Sequence, residues 1–200
     1  MLKSFDLAVK PNENFVRVYE NVLSKDFCVH LIDKFEKFKE EYVDDRGRVT
    51  YDIFLQEHRN QFREELSTII KAQQKAYDKY VEEFPILTHS PYHKAKFWKL
   101  RRIEIGEHYS SREWHYEAQR NFVGDQGCIL SSTFYLNDVE EGGETELPYQ
   151  GMKVKPEVGK VVFFPAGYTH THGGAPPISN LKYIIASFFF FELEEYKKGL

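Results

Sequence analysis

The last long apolar run of the chain, LKYIIASFFFFE at residues 181–192, cannot lie on the surface of a folded protein. Nearly every position in it is apolar, so it lacks the alternation of a half-exposed strand, and its β-branched and aromatic side chains favour a strand. We therefore predict a central strand that is buried on both faces. The rest of the chain has to supply its neighbouring strands and a covering layer for each face.

Further short apolar runs precede this strand from about Ala95 onward, and turn-forming clusters of Gly, Pro and Asn separate them. The runs are KFWKLRRIEI, CILSSTFYL and KVVFFPAG, and the clusters are NDVEEGGE, PYQG, PEVG and GGAPPISN. Five or more short strands spaced in this way are typical of an antiparallel sandwich or barrel.

The first half of the chain has helical periodicity instead. Ser24 is a good N-cap for one amphipathic segment, and Pro85 ends a second. The apolar stripes comprise Phe27, Cys28, Leu31, Ile32, Phe35 and Phe38 in the first, and Phe62, Leu66, Ile69, Ile70, Tyr77, Tyr80, Val81 and Phe84 in the second. We predict one α+β domain over residues 1–200, with helical support at about 20–94 and a β core at about 95–192.

The composition argues against several classes of function. The 200 residues carry 27 Lys and Arg against 31 Asp and Glu, so no basic footprint indicates a nucleic-acid partner. Neither a signal peptide nor an apolar run of about 18 residues is present, so we expect a cytoplasmic protein without a membrane partner. Cys28 and Cys128 match no zinc or redox spacing.

Histidines and one glutamate form a candidate metal site. In a strand, His115 and Glu117 would point to one side and Tyr116 to the other, although an H-x-E triplet alone is a common coincidence. A histidine from the segment THTHGG would complete two imidazoles and one carboxylate with three coordination positions open, as in non-haem Fe(II) oxygenases. His170 and His172 would face the same way in a strand, so periodicity leaves the choice between them open.

Several motifs together resemble 2-oxoglutarate- and Fe(II)-dependent dioxygenases, specifically the prolyl 4-hydroxylase-like branch. The resemblance covers most of the chain except about residues 40–94, and it includes the N-terminal segment YENVLSKDFCVHLIDKFEK. The matching motifs are Gly106 and Tyr109 ahead of H-x-E, YLN at 135–137, GGET at 142–145, P-x-x-G at 156–159, FP at 164–165, and a histidine with Pro four and Lys ten residues later.

This resemblance implies a double-stranded β-helix (jelly-roll) core and a set of roles. His172 lies four residues before Pro176 and ten before Lys182, so the family spacing selects it, with His115 and Glu117, as an iron ligand. His170 then becomes a rim or outer-sphere residue. Lys182 would bind the distal carboxylate of 2-oxoglutarate, and Tyr109 and Thr133 would help to hold that cosubstrate.

The implied activity is hydroxylation of an unactivated C–H bond, with Fe(II), 2-oxoglutarate and O2 as cofactors and cosubstrates, and with succinate and CO2 as co-products. A prolyl residue in a peptide or protein is the favoured substrate. The alternatives are a free amino acid or small metabolite, or a non-catalytic module that binds metal or ligand. Two positions depart from the family pattern: Glu117 stands where Asp is usual, and Tyr109 lies six residues before His115. The oligomeric state is not predicted.

Overall fold

The computed structural model describes residues 13–43, 49–89, 93–108, 114–119 and 126–191. The N-terminal part consists of β1 (Arg17–Tyr19), α1 (Lys25–Phe38), β2 (Glu40–Val43), β3 (Val49–Phe54) and α2 (Arg59–Glu83). The remainder consists of β4 (His93–Ile103), β5 (Gln126–Tyr135), β6 (Thr145–Leu147), β7 (Met152–Val154), β8 (Val161–Pro165), β9 (Gly173–Gly174) and β10 (Lys182–Phe191).

The strands form two antiparallel sheets that create the jelly-roll core. The large sheet has the order β1-β8-β5-β10-β4-β3-β2, and the small sheet has the order β7-β6-β9. The predicted central position of β10 is confirmed, because β10 lies between β5 and β4 with residues 182–190 all buried. The predicted α+β class with N-terminal helices is confirmed as well.

The two faces of β10 contribute to different parts of the core. Tyr183, Ile185 and Phe189 pack with apolar residues of α1 and α2, so the helices cover this face of the large sheet. Ile184 faces the other way and packs between the sheets with residues of β6, β7 and β8. Lys182 shares this second face, which positions its side chain inside the jelly roll.

The helices begin and end close to the predicted residues. The Oγ of Ser24 accepts a hydrogen bond from the backbone N–H of Phe27 at 3.2 Å, which confirms it as the N-cap of α1. Helix α2 ends at Glu83, just before Pro85. The predicted apolar stripes included two residues that do not belong to the buried face, because Phe38 is 42% and Ile70 39% exposed.

Two strands were missed in the segment predicted to be helical support. β2 and β3 pair with each other, and β3 pairs with β4, which extends the large sheet beyond its β-rich half. The charged sequence of β2, EEYV, suits the edge of the sheet, whereas β3, VTYDIF, has the β-branched and aromatic residues of a strand and could have been recognised. Among the described residues, no helix combines the length and apolarity that a bilayer crossing requires.

A buried polar network joins α2 to the centre of the large sheet. The side-chain amide of Gln73 donates to the hydroxyls of Ser132 in β5 and Ser187 in β10, at 2.8 and 3.0 Å. It also accepts from the indole N–H of Trp98 in β4 at 2.7 Å. One side chain thereby fixes α2 against three adjacent strands, and the opposite face of two of these strands lines the cavity described below.

Candidate metal centre

Two of the predicted ligands are brought together by backbone pairing. His115 and His172 form an antiparallel bridge in which each backbone N–H donates to the other's carbonyl, at 3.0 and 2.8 Å. Their imidazole ring centres are 4.5 Å apart. Residues from two distant parts of the chain are thus in direct contact, as the motif resemblance predicted.

Glu117 reaches both imidazoles from a short 3-10 turn, not from the strand that the H-x-E spacing suggested. The turn spans Glu117–Gln119, and the N–H of Ala118 donates to the carbonyl of Ala166 at 3.0 Å. One carboxylate oxygen of Glu117, Oε1, lies 3.3 Å from Nε2 of His115 and 3.4 Å from Nε2 of His172. The carboxylate therefore converges with both rings although the local backbone was predicted incorrectly.

This arrangement fits a metal ion. Two bonds of about 2.1 Å that meet at a right angle place their ligand atoms about 3.0 Å apart, close to the observed spacings. The candidate ligand atoms of His115, Glu117 and His172 all lie within 4.8 Å of one another, and the three residues are buried. Two nitrogens and one carboxylate oxygen on one side of an ion suit Fe(II) better than a structural zinc site, which has four protein ligands.

Hydrogen bonding distinguishes the two neighbouring histidines. The Nδ1–H of His172 donates to the backbone carbonyl of His170 at 3.0 Å, so the neutral ring presents its Nε2 lone pair towards Glu117. The ring of His170 instead contacts the carbonyl of Asn14 through Nε2 at 2.9 Å. Burial lowers the pKa of His170 below its usual value. The structure thus groups His172, and not His170, with the other two residues.

Lys182 is buried at the start of β10, with an exposed fraction of 2%. Its ammonium nitrogen donates to the carbonyl of Gly143 at 2.6 Å and lies 5.5 Å from the ring centre of Tyr135. Desolvation lowers the pKa of Lys182 to about 7, although the negative charge of Glu144 acts in the opposite direction. A buried ammonium of this kind favours an anionic partner.

A small cavity of about 20 Å³ is lined both by Lys182 and by residues of the histidine–glutamate cluster. Thr133 is one of its lining residues, and its role in holding the cosubstrate stays a prediction. Tyr109 lies outside the described residues. The other lining residues are Glu117, Ser131, Thr145, His172, Gly173, Gly174, Ile184, Ala186 and Phe188.

Sequence reasoning missed two polar residues beside this cavity. Thr145, the last residue of the GGET segment, lines the cavity, and its hydroxyl accepts from that of Tyr135 at 2.6 Å. The strand alternation Ser131-x-Thr133-x-Tyr135 could have indicated Tyr135, since these side chains share one face of β5. Thr145 had a weaker signal, because GGET was interpreted only as a turn.

Comparison with known proteins assigns this core to a family. A family model described as the 2OG-Fe(II) oxygenase superfamily matches residues 99–190. Segment 99–190 belongs to the 2OG-Fe(II) oxygenase superfamily. Membership of this superfamily implies Fe(II), 2-oxoglutarate and O2, and all three residues of the histidine–glutamate cluster lie within the matched segment.

Relatives in Arabidopsis thaliana support the prolyl 4-hydroxylase-like branch. Prolyl 4-hydroxylase 13 is 30% identical over 52% of this chain and 46% of its own length. Probable prolyl 4-hydroxylase 3 is 26% identical over 83% of this chain and 66% of its own length. The chain therefore spans about half the length of the first of these relatives and just under two thirds of the second.

Solved structures share the oxygenase fold. A viral collagen prolyl hydroxylase from Paramecium bursaria chlorella virus-1 is 20% identical with a TM-score of 0.67, over 89% of this chain and 97% of that one. A prolyl hydroxylase from Trichoplax adhaerens, in complex with a hypoxia inducible factor peptide fragment, is 16% identical with a TM-score of 0.64, over 92% of this chain and 87% of that one. The predicted jelly roll is confirmed, and so is the predicted resemblance to prolyl 4-hydroxylases.

Proposed function

We propose that this oxygenase uses Fe(II), 2-oxoglutarate and O2 to hydroxylate an unactivated C–H bond, most favourably in a prolyl residue of a peptide or protein. Succinate and CO2 would be the co-products. The observation that carries the proposal is the convergence of His115, Glu117 and His172 at one end of a cavity that has the buried ammonium of Lys182 nearby. Metal ligands and an anion-binding group therefore share one enclosed space.

Each side chain in the cavity has a distinct role in this proposal. His115, Glu117 and His172 would hold the iron on one side, and the bound iron would supply the O2 chemistry. The ammonium of Lys182 would bind the distal carboxylate of 2-oxoglutarate and so direct the keto acid end towards the ion. Thr133 would donate a hydrogen bond to the same carboxylate.

The burial of these residues supports oxidative chemistry. The metal-binding residues and Lys182 are all at most 5% exposed, so water has little access to reacting groups. The lining also includes the hydroxyl groups of Ser131 and Thr145 and the backbone of Gly173 and Gly174, which carries no side chains. We propose Tyr109 as a further cosubstrate contact, on the family motif alone.

The prolyl preference rests on relatives. Named prolyl 4-hydroxylases and a prolyl hydroxylase bound to a peptide fragment resemble this chain. Trp114, which directly precedes His115, is 42% exposed and could contact such a peptide at the mouth of the site. A free amino acid or other small metabolite is the enzymatic alternative.

The test combines binding and turnover. Metal-free protein is loaded anaerobically with Fe(II), 2-oxoglutarate is added, and the visible charge-transfer band of the chelate is recorded. Succinate release in air is then screened with proline-containing peptides and free amino acids. We expect the band and peptide-dependent succinate; a band with succinate only for free amino acids would favour the small-molecule alternative.

Matched variants connect the outcome to named residues. His172→Ala should abolish Fe(II) binding and the band, whereas His170→Ala should retain measurable Fe(II) binding. Absence of both band and succinate in the parent protein would refute the proposed activity and favour a non-catalytic binding module. The reverse behaviour of the two histidine variants would exchange their roles.

A further inference from the structure

His170 is buried beside the metal-binding cluster without belonging to it, and both of its ring nitrogens have contacts. Nε2 lies 2.9 Å from the backbone carbonyl of Asn14, which can only accept, so Nε2 carries the proton. Nδ1 of the neutral ring must then accept, and the hydroxyl of Thr169 donates to it at 3.0 Å. The ring orientation and tautomer of His170 are therefore fixed from two sides.

The backbone carbonyl of His170 is the group that orients the proposed ligand. It accepts the Nδ1–H of His172 at 3.0 Å, and this bond selects the tautomer with an Nε2 lone pair available for metal. The peptide unit that contains this carbonyl is also fixed at the end of the 3-10 turn Tyr168–His170, where the N–H of Thr171 donates to the carbonyl of Tyr168 at 3.3 Å. Movement of the His170 ring would thus move the carbonyl that orients His172.

The anchor at Asn14 is itself attached to the rigid part of the fold. The side-chain oxygen of Asn14 accepts from the N–H of Val16 at 3.1 Å, and Val16 is buried between the two sheets. The carbonyl of Phe15 accepts from the hydroxyl of Tyr80 in α2 at 2.8 Å. A continuous series of contacts therefore runs from α2 through the segment before β1 to the metal-binding loop.

We infer that His170 is a positioning residue that couples the N-terminal segment to the metal centre by fixing the orientation and tautomer of His172. This inference rests on the proposed function, since it assumes that His172 binds a metal. Groups that orient a metal-binding histidine typically contribute 10- to 100-fold to metal affinity. His170 would have this effect without touching the metal.

The experiment titrates Co(II) anaerobically into the metal-free protein and follows the d–d absorption bands. His170→Leu removes both ring contacts, and we expect its Co(II) dissociation constant to rise roughly 10- to 100-fold with altered d–d bands. His170→Gln retains an N–H for Asn14 and an oxygen for Thr169, so its affinity and spectrum should return close to those of the parent.

A stability control separates positioning from general weakening. Ile69→Val removes one methylene group from the buried core on the helix-covered face of the large sheet, away from the cavity. This variant should lower the melting temperature with an unchanged Co(II) affinity and spectrum. The inference is overturned if His170→Leu binds Co(II) like the parent, if Gln fails to rescue, or if Ile69→Val weakens Co(II) binding as much as His170→Leu does.

The result remains distinguishable from failure of the proposed function. If the parent itself does not bind Co(II), the metal site is wrong, and the inference about His170 fails with it. If the parent binds and His172→Ala does not, the metal site stands, and only the comparison of His170→Leu with His170→Gln decides the positioning role.

Discussion

At the scale of single residues, the buried ammonium of Lys182 should give two properties opposite dependences on pH. The free energy of unfolding should rise with pH, whereas the affinity for 2-oxoglutarate should fall. The pKa of Lys182 is lowered from 10.5 to about 7 in the folded protein, so between these values the unfolded chain binds more protons than the folded chain. The free energy of unfolding therefore rises with pH across this range. Equilibrium urea unfolding from pH 7 to 10 should show this rise, and Lys182→Met should remove it.

Binding of 2-oxoglutarate should reverse the preference of Lys182. A carboxylate beside the ammonium favours the charged form, so binding above pH 7 takes up a proton and the affinity falls as pH increases. Calorimetry of the Mn(II)-loaded protein at pH 8, in two buffers that differ in ionisation enthalpy, measures this uptake directly. A binding enthalpy independent of the buffer, or the same dependence in Lys182→Met, would contradict the role of Lys182.

Glu117 provides the second prediction at this scale. Its turn is fixed to Ala166, so Glu117→Asp withdraws the carboxylate by about one bond length of 1.5 Å without a compensating backbone shift. We expect Co(II) affinity to fall roughly 10- to 100-fold, although Asp is the usual residue of the family. Glu146→Asp on β6 is the matched control and should bind Co(II) like the parent; equal or tighter binding by Glu117→Asp would show that the longer arm is not required.

The choice between His170 and His172 shows what a sequence cannot resolve at this scale. The two histidines are two residues apart in the sequence, so the alternation of a strand would point their side chains to the same face. Only the hydrogen bonds decide, because one imidazole turns its Nε2 to Glu117 and the other to a backbone carbonyl. Motif spacing selected His172, which the structure groups with His115 and Glu117, but it could not reveal which hydrogen bond holds the ring.

At the scale of elements, the turn before β6 positions the carbonyl that Lys182 contacts. Gly142 has a φ of +73°, and a Cβ there would lie 2.3 Å from the carbonyl oxygen of Pro176. Gly142→Ala therefore adds a steric clash to the unfavourable φ and disturbs the bond from the N–H of Gly143 to the carbonyl of Pro176. We expect about 3 kcal/mol or more of lost stability in urea unfolding, together with weaker 2-oxoglutarate binding.

Gly151→Ala is the control for this turn. Its φ of +62° is equally unfavourable for an L-residue, but nothing lies within 4 Å of the added Cβ. The cost should be limited to about 1–2 kcal/mol, without an effect on 2-oxoglutarate. Equal losses in the two variants would mean that the contact with Pro176 does not matter.

The elements differ in how well their sequences reveal them. The central strand β10 was predictable because strong apolar character and burial on both faces coincide. The short strands β6, β7 and β9 have two or three residues each, too few for a periodic pattern. The turn at Glu117 was missed for a related reason. The H-x-E spacing of His115 and Glu117 fits a strand, and the hydrogen bond from Ala118 to Ala166 that fixes the turn involves a distant part of the chain.

At the scale of the whole molecule, the two faces of the large sheet have separate tasks. One face packs against α1 and α2 and carries most of the buried apolar side chains. The other face meets the small sheet and encloses the polar cavity and Lys182. A cavity and buried polar groups reduce the packing energy on the face towards the small sheet. The packing of the helices on the opposite face compensates for this loss and keeps the strands rigid.

This division predicts how ligands should stabilise the fold. A ligand that binds only the folded state at 100 times its dissociation constant adds about 2.7 kcal/mol, or roughly 5–10 °C in melting temperature for a domain of this size. Thermal unfolding with Mn(II) should show one increase, and 2-oxoglutarate should add a second only when Mn(II) is present. His172→Ala should lose both increases, whereas Lys182→Met should retain the first and lose the second. An increase with 2-oxoglutarate alone would mean that Lys182 suffices to bind it, since the metal end of the cavity would then contribute nothing.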